Sequence, residues 1–117
     1  MRDDSERILD MLEAVDRIER HSGKGREAFQ EDELIQTWVV HHLEVIGEAA
    51  SKLGQDFRNT YSEIPWPQII AMRNVLTHEY FGIDLDEVWQ VVERDLPELK
   101  QNLNKIREEL AQRGKHD

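Results

Sequence analysis

Apolar residues recur at three- and four-residue spacing through most of this chain, the period of an α-helix with one buried face. Ile8, Met11, Leu12, Val15 and Ile18 follow Asp3, Asp4 and Ser5, whose short polar side chains suit a helix N-terminus. A first helix is predicted over residues 4–21, ending at Ser22-Gly23-Lys24-Gly25. Leu34, Ile35, Trp38, His42, Val45, Ile46, Ala49 and Leu53 form a second stripe, which predicts one long helix over residues 31–53 with Gly54 as its C-terminal cap. Gly47 interrupts that stripe with a residue of poor helix propensity, which signals a close approach between helices.

The pattern lapses over residues 54–65, so a polar loop anchored by Phe57, Tyr61 and Ile64 is expected there. Pro67 suits the first turn of a third helix carrying Ile69, Ile70, Met72, Val75 and Leu76 and fading near Tyr80, before Gly82. Asp84-Leu85-Asp86-Glu87 has capping-box spacing and opens a fourth helix with Leu85, Val88, Trp89 and Val92. Pro97 then kinks or divides a stripe that continues through Leu96, Leu99, Leu103, Ile106 and Leu110. No alternating valine- or threonine-rich run competes. The expectation is an all-α, four- to five-helix up-and-down bundle.

A length of 117 residues fits a single domain, 1–117, able to bury a core without disulfides. Cysteine is absent, which excludes thiolate zinc sites and cysteine nucleophiles and favours a reducing, cytoplasmic setting. No apolar signal region or membrane span is visible, so a soluble protein without a membrane partner is expected. The net charge of −10 argues against a nucleic-acid partner unless a local basic cleft exists.

Without cysteine, acid–base chemistry near neutral pH falls to His21, His41, His42, His78 and His116. His21 and His116 lie at a helix end and in the polar tail, and read as solvated surface. His41 and His42 lie on the second helix, with His42 on the apolar stripe, where a core or interface role is the simpler reading. His78 has more suggestive neighbours. Asn74 and His78, four apart, share one helical stripe, whereas Arg73 and Tyr80, seven apart, share the next. Arg73 and His78 are about 140° apart around an ideal helix. They converge only if the helix loosens near Gly82, if the arginine wraps toward the imidazole, or if a second copy supplies one of them. A guanidinium beside an imidazole suits phosphodiester cleavage: the first neutralises charge at phosphorus, and the second moves the 2′-hydroxyl or leaving-group proton. On spacing alone, an ordinary exposed arginine and histidine at a helix end is the favoured explanation of the pair. Neither a metal nor a cofactor is called for: His41, His42, Glu44 and Glu48 lack the Glu-x-x-His and His-Glu-x-x-His spacings, and Gly23-Lys24-Gly25 is no phosphate loop.

The segment Arg73-Asn74-Val75-Leu76-Thr77-His78-Glu79-Tyr80 resembles the signature of HepT-like toxins of the HEPN superfamily. The resemblance extends in order through Ile46-Gly47-Glu48-Ala49-Ala50, Ile64-Pro65-Trp66, Tyr80-Phe81-Gly82-Ile83-Asp84, Val88-Trp89 and Asp95-Leu96-Pro97-Glu98-Leu99. It implies a HEPN-type bundle that homodimerises and a metal-independent endoribonuclease site at the dimer cleft, with Arg73 and His78 catalytic and RNA as substrate. It also implies a toxin role in a type II/VII-like toxin–antitoxin pair. The antitoxin would be a minimal nucleotidyltransferase that moves AMP from ATP to Tyr80. Such a modification would place negative charge beside Arg73, where substrate phosphate binds. Asn74 either orients the imidazole or phosphate, or is a surface amide; Glu48 either lines the cleft or is a salt-bridging surface carboxylate. Glu79 reads as solvated. A non-catalytic HEPN module that holds a nucleotidyltransferase partner is the alternative, which the acidity favours.

Overall fold

The computed structural model describes residues 3–78 and 82–114. Among them are seven α-helices and no strand: α1 Asp4–Ser22, α2 Arg26–Glu31, α3 Glu33–Ser51, α4 Gln55–Thr60, α5 Trp66–His78, α6 Leu85–Gln90 and α7 Leu96–Gly114. A π-helical turn, Val91–Asp95, joins the last two. The all-α expectation holds. The count of four or five does not, because three one-turn helices stand between the four long ones.

Each departure has a local cause. The helix expected over residues 31–53 is observed as Glu33–Ser51, starting after Asp32, whose extended backbone (φ −113°, ψ 105°) ends an additional short helix, α2, that the pattern did not predict. The Asp32 carboxylate accepts hydrogen bonds from the Leu34 and Ile35 amides at 2.9 and 3.4 Å, capping α3. α2 in turn starts after Gly25, whose φ of +99° only glycine adopts readily, and it drops Phe29 into the core. Within the expected loop at 54–65 the polar run Gln55–Thr60 forms α4, while Tyr61 and Ile64 are buried as anchors.

At α1 the capping residues behave as the sequence suggests. Asp3 accepts from the Glu6 amide at 2.9 Å, and the Glu6 carboxylate accepts from the Asp3 amide at 3.4 Å. At α6, Asp84 accepts from the amides of Asp86 and Glu87. Pro97 neither breaks nor sharply divides the chain. It lacks the N–H that would reach the Glu93 carbonyl four residues back, and the preceding turn is widened so that the Leu96 amide donates to the Val91 carbonyl instead.

The core lies where α1 and α7 meet and where α3 packs on α1, around Met11, Ile18, Val39, Leu43, Leu103 and Ile106. α5 is docked mainly on α3, with only Trp66 and Leu76 fully buried. Trp66 is pinned by a 3.0 Å hydrogen bond from its indole N–H to the Tyr61 carbonyl. The remaining face of α5 stays accessible, including Val75. Among the described residues, no helix is long and apolar enough to cross a membrane.

Candidate active site

Gly47 sets the position of the site. A Cβ at this residue would lie 2.1 Å from Arg73 Cβ and 2.8 Å from Arg73 Cγ. The helix interior therefore tolerates a poor helix former because the stem of Arg73 occupies the space a side chain would take. This is the close approach that the sequence pattern suggests.

With its stem wedged there, Arg73 extends along α3 to the Glu48 carboxylate, to which its Nη2 donates. Lys52 Nζ lies 3.1 Å from the other oxygen of Glu48. The hydrogen bond from Lys52, foremost, and the neighbouring charge of Arg73 hold the Glu48 carboxyl below its usual range, against the opposing effect of burial. The guanidinium also donates from Nη1 to Asn74 Oδ1 at 3.1 Å. Glu48 and Asn74 thus both grip Arg73, and Asn74 is engaged with the guanidinium rather than with an imidazole.

His78 ends α5 and is exposed. α5 is α-helical through His78, so the five-residue separation keeps its ideal angular offset from Arg73, whose side chain turns toward α3. Of the three routes to convergence, wrapping of the arginine toward its own imidazole is not what the described residues display. Tyr80 and Glu79 lie outside the described residues, as does most of the stretch before Gly82 in which a loosened terminus was expected.

Arg73 forms part of the floor of an open groove of about 600 Å³ between α1, α3 and α5. Arg17 from α1 and His41 and His42 from α3 line its other end, while Arg7 lines the end near Glu48, because α1 runs antiparallel to α3, with Asp4 meeting Gly54 and Arg17 meeting Trp38. Sequence reading assigned none of these four to the site. His42 carried the one available signal, a polar residue on an apolar stripe. It is the only buried polar side chain among the described residues, at 5 % exposure. Its Nδ1 lies 2.8 Å from the Trp38 carbonyl, and because a carbonyl only accepts, Nδ1 carries the proton. The ring packs against Trp38 at 4.4 Å between centroids and meets His41 edge-on at 4.9 Å. Burial, chiefly, lowers the His42 pKa from its ordinary value; the charges of His41 and Arg17 act in the same direction, and the Trp38 hydrogen bond and Glu13 oppose them. Among the described residues, no group of three or more His, Asp or Glu side chains is placed to hold a metal ion.

A family model described as "Ribonuclease HepT-like" matches residues 11–106, which include all of α3 and α5. Among curated proteins, this chain is 40% identical over 101 residues to a Methanocaldococcus jannaschii protein named "Gamma-glutamylcyclotransferase and putative RNase". That match takes in 86% of this chain but 46% of the relative, so the chain spans about half the length of that protein. It is 38% identical over 101 residues to a "Putative RNase" of Caldanaerobacter subterraneus subsp. tengcongensis, covering 86% of this chain and 88% of the relative. A "Probable ribonuclease HepT" of Thermococcus cleftensis is also 38% identical over 101 residues, covering 86% and 92%. No solved structure gives a significant match. The chain belongs to the HepT-like ribonuclease family.

Proposed function

We propose that this protein is an endoribonuclease toxin that cleaves RNA without a metal, using Arg73 and His78. The observation that carries the reading is that the family match spans α5, where Arg73 reaches an open groove and His78 stands exposed at the helix end. Because one regular helix holds them apart, a homodimer in which Arg73 of one protomer faces His78 of the other is the arrangement that brings both to one phosphate.

The chemistry asks little beyond these two groups. The ribose 2′-oxygen attacks phosphorus as His78 takes its proton, the bond to the 5′-oxygen breaks, and that oxygen recovers a proton from the protonated imidazole or from water. The products are a 2′,3′-cyclic phosphate and a 5′-hydroxyl end. Arg73 offsets the charge building on the non-bridging oxygens. Glu48 and Asn74 fix the guanidinium beforehand, and Glu48 yields part of its grip when phosphate arrives.

Control by a nucleotidyltransferase antitoxin belongs to the same reading. The Tyr80 hydroxyl attacks the α-phosphorus of ATP, pyrophosphate leaves, and the tyrosyl-AMP places an anion near Arg73. A cytoplasmic toxin–antitoxin pair and an up-and-down bundle of HEPN type complete it. The net charge of −10 favours a second reading, a non-catalytic module that holds a nucleotidyltransferase partner.

Purified protein incubated with RNA in EDTA tests the proposal. Cleavage that leaves cyclic phosphate ends and is lost in His78→Ala supports it, whereas no cleavage by the wild type, or equal cleavage by both, overturns it. Incubation with the cognate transferase and ATP should add adenylate mass that Tyr80→Phe abolishes. Unchanged labelling of the Phe variant would move the modified residue elsewhere.

A further inference from the structure

The groove is longer than the Arg73 site needs, and its far end is built in a way the phosphodiester chemistry does not explain. His42 is the clearest case. With its proton committed to the Trp38 carbonyl through Nδ1, the neutral ring offers Nε2 as a bare acceptor. Nε2 has no hydrogen-bond partner among the described residues, yet it is not among the buried side-chain atoms left unsatisfied, so it reaches the opening that His42 lines. The ring cannot easily turn away. Trp38 packs on it, and Trp38 is itself fixed by a 2.7 Å hydrogen bond from its indole N–H to the Arg17 carbonyl and by the edge of His21 at 5.1 Å. A buried imidazole held this rigidly, with its acceptor toward an open groove, is arranged to meet a donor on a ligand.

Arg7 supplies the second feature. It lines the same groove from α1, is half-buried, and its Nε is buried without a hydrogen-bond partner. It sits toward the Glu48 end, and the other arginines that line the groove are already engaged, Arg17 with Glu13 at 2.6 Å and Arg73 with Glu48. A buried guanidinium N–H without an acceptor is costly unless a ligand supplies one. His42 precedes Glu48, the Arg73 anchor, by six positions, about 9 Å along the α3 axis. That is a span one nucleotide can bridge.

We propose that Arg7 and His42 form a nucleotide subsite in the groove between α1 and α3, holding the single-stranded RNA residue next to the phosphate that Arg73 binds. Arg7 takes the neighbouring phosphate, and His42 Nε2 accepts a hydrogen bond from an amino or imino group of the base. The volume, about 600 Å³, is in the range of pockets that enclose ligands of this size. The base must be unpaired, because its hydrogen-bonding edge has to enter the groove. Carboxylates lining the groove, Asp10 and Glu44 among them, disfavour a continuous run of phosphates and suit contacts with base amino groups. The inference rests on the ribonuclease reading and adds to it a source of sequence preference.

The test is steady-state cleavage of short single-stranded oligoribonucleotides that vary the bases on each side of the cut, with the ends mapped. His42→Asn keeps a donor for the Trp38 carbonyl but removes the acceptor at Nε2; His42→Gln extends an acceptor back toward that position; Arg7→Met keeps the aliphatic stem. We expect His42→Asn and Arg7→Met to raise KM about five- to tenfold with little change in kcat. His42→Asn should also flatten the base preference, and His42→Gln should restore part of it. Wild-type cleavage with KM and base preference unchanged in Arg7→Met and in either His42 variant overturns the subsite alone. Should the His42 variants fail to fold, an unchanged KM in Arg7→Met overturns it by itself. No cleavage by the wild type overturns the ribonuclease reading, and the subsite falls with it.

Discussion

Replacing Gly47 with alanine tests whether the α3–α5 contact is what places Arg73. Helix propensity alone favours the change by about 1 kcal/mol, since glycine is a poor interior helix residue. Packing opposes it. The new Cβ would meet Arg73 Cβ at 2.1 Å and the Ile69 carbonyl oxygen at 3.2 Å. Ordinary carbon–carbon contact begins near 3.5 Å, so α5 must move outward by about 1.5 Å. Overpacking of this kind costs about 1–3 kcal/mol, and a contact against the root of a side chain, which cannot swing aside, belongs at the upper end. A net loss of about 2 kcal/mol is expected, or a fall of about 8 °C in Tm for a chain of this size. The same displacement draws Arg73 away from Glu48, so RNA cleavage should fall more than stability at the assay temperature explains. Gly54→Ala is the matched control: a Cβ there meets only the Asp4 carboxylate at 3.6 Å, and the backbone (φ −62°, ψ 149°) suits alanine. Urea or thermal unfolding followed by circular dichroism measures both. A Gly47→Ala protein as stable as the wild type, or more so, would refute the packing argument.

Two further outcomes follow from the same geometry. Glu48→Gln removes a carboxylate that competes with phosphate for Arg73; with both partners more than a third exposed or nearly so, stability should shift by less than about 1 kcal/mol, while labelled RNA binds about threefold more tightly in a fluorescence titration. Weaker binding would mean that Glu48 acts mainly by positioning the guanidinium. Because burial lowers the pKa of His42 below 6.5, the unfolded chain binds its proton first on acidification. The stability this neutral histidine contributes is therefore complete above about pH 6.5 and declines as the pH falls toward the folded-state value. Tm scans from pH 7.5 to pH 5 should show that decline in the wild type and a shallower one in His42→Gln; parallel curves would contradict it.

The parts of the fold legible in the sequence were those governed by a repeating apolar face: the positions of α1, α3, α5 and α7, and the close contact at Gly47. Of the short helices, α6 was marked by its capping residue Asp84, whereas α2 and α4 were not, because one turn is too brief to show a period. α2 depends on a single buried residue, Phe29, and on a chain reversal at Gly25, and the start of α3 after Asp32 depends on one carboxylate capping two amides. At Pro97 the sequence marked the place but not the remedy, a widened π turn that dispenses with the missing N–H. For the site, the motif spacing pointed to Arg73 and His78, and the helical angle expected between them is the one α5 keeps through His78. The partners of Arg73 were only half visible. Glu48 is 25 residues away in sequence, so its ion pair arises from the docking of α5 on α3, and the opening lined by Arg7 and His42 exists only once α1 is packed beside them.

That angular separation allows the central claim to be tested directly, by mixing two inactive variants. If Arg73 of one protomer and His78 of the other share a phosphate, a dimer of Arg73→Ala with His78→Ala retains one intact site and one doubly damaged site. Random reassociation of equal amounts makes about half the dimers hybrid, so RNA cleavage should recover to about a quarter of the wild-type rate in EDTA. Each variant alone should remain inactive. Activity of the mixture no higher than that of the separate variants, beside an active wild type, would contradict a site assembled across the dimer from these two residues.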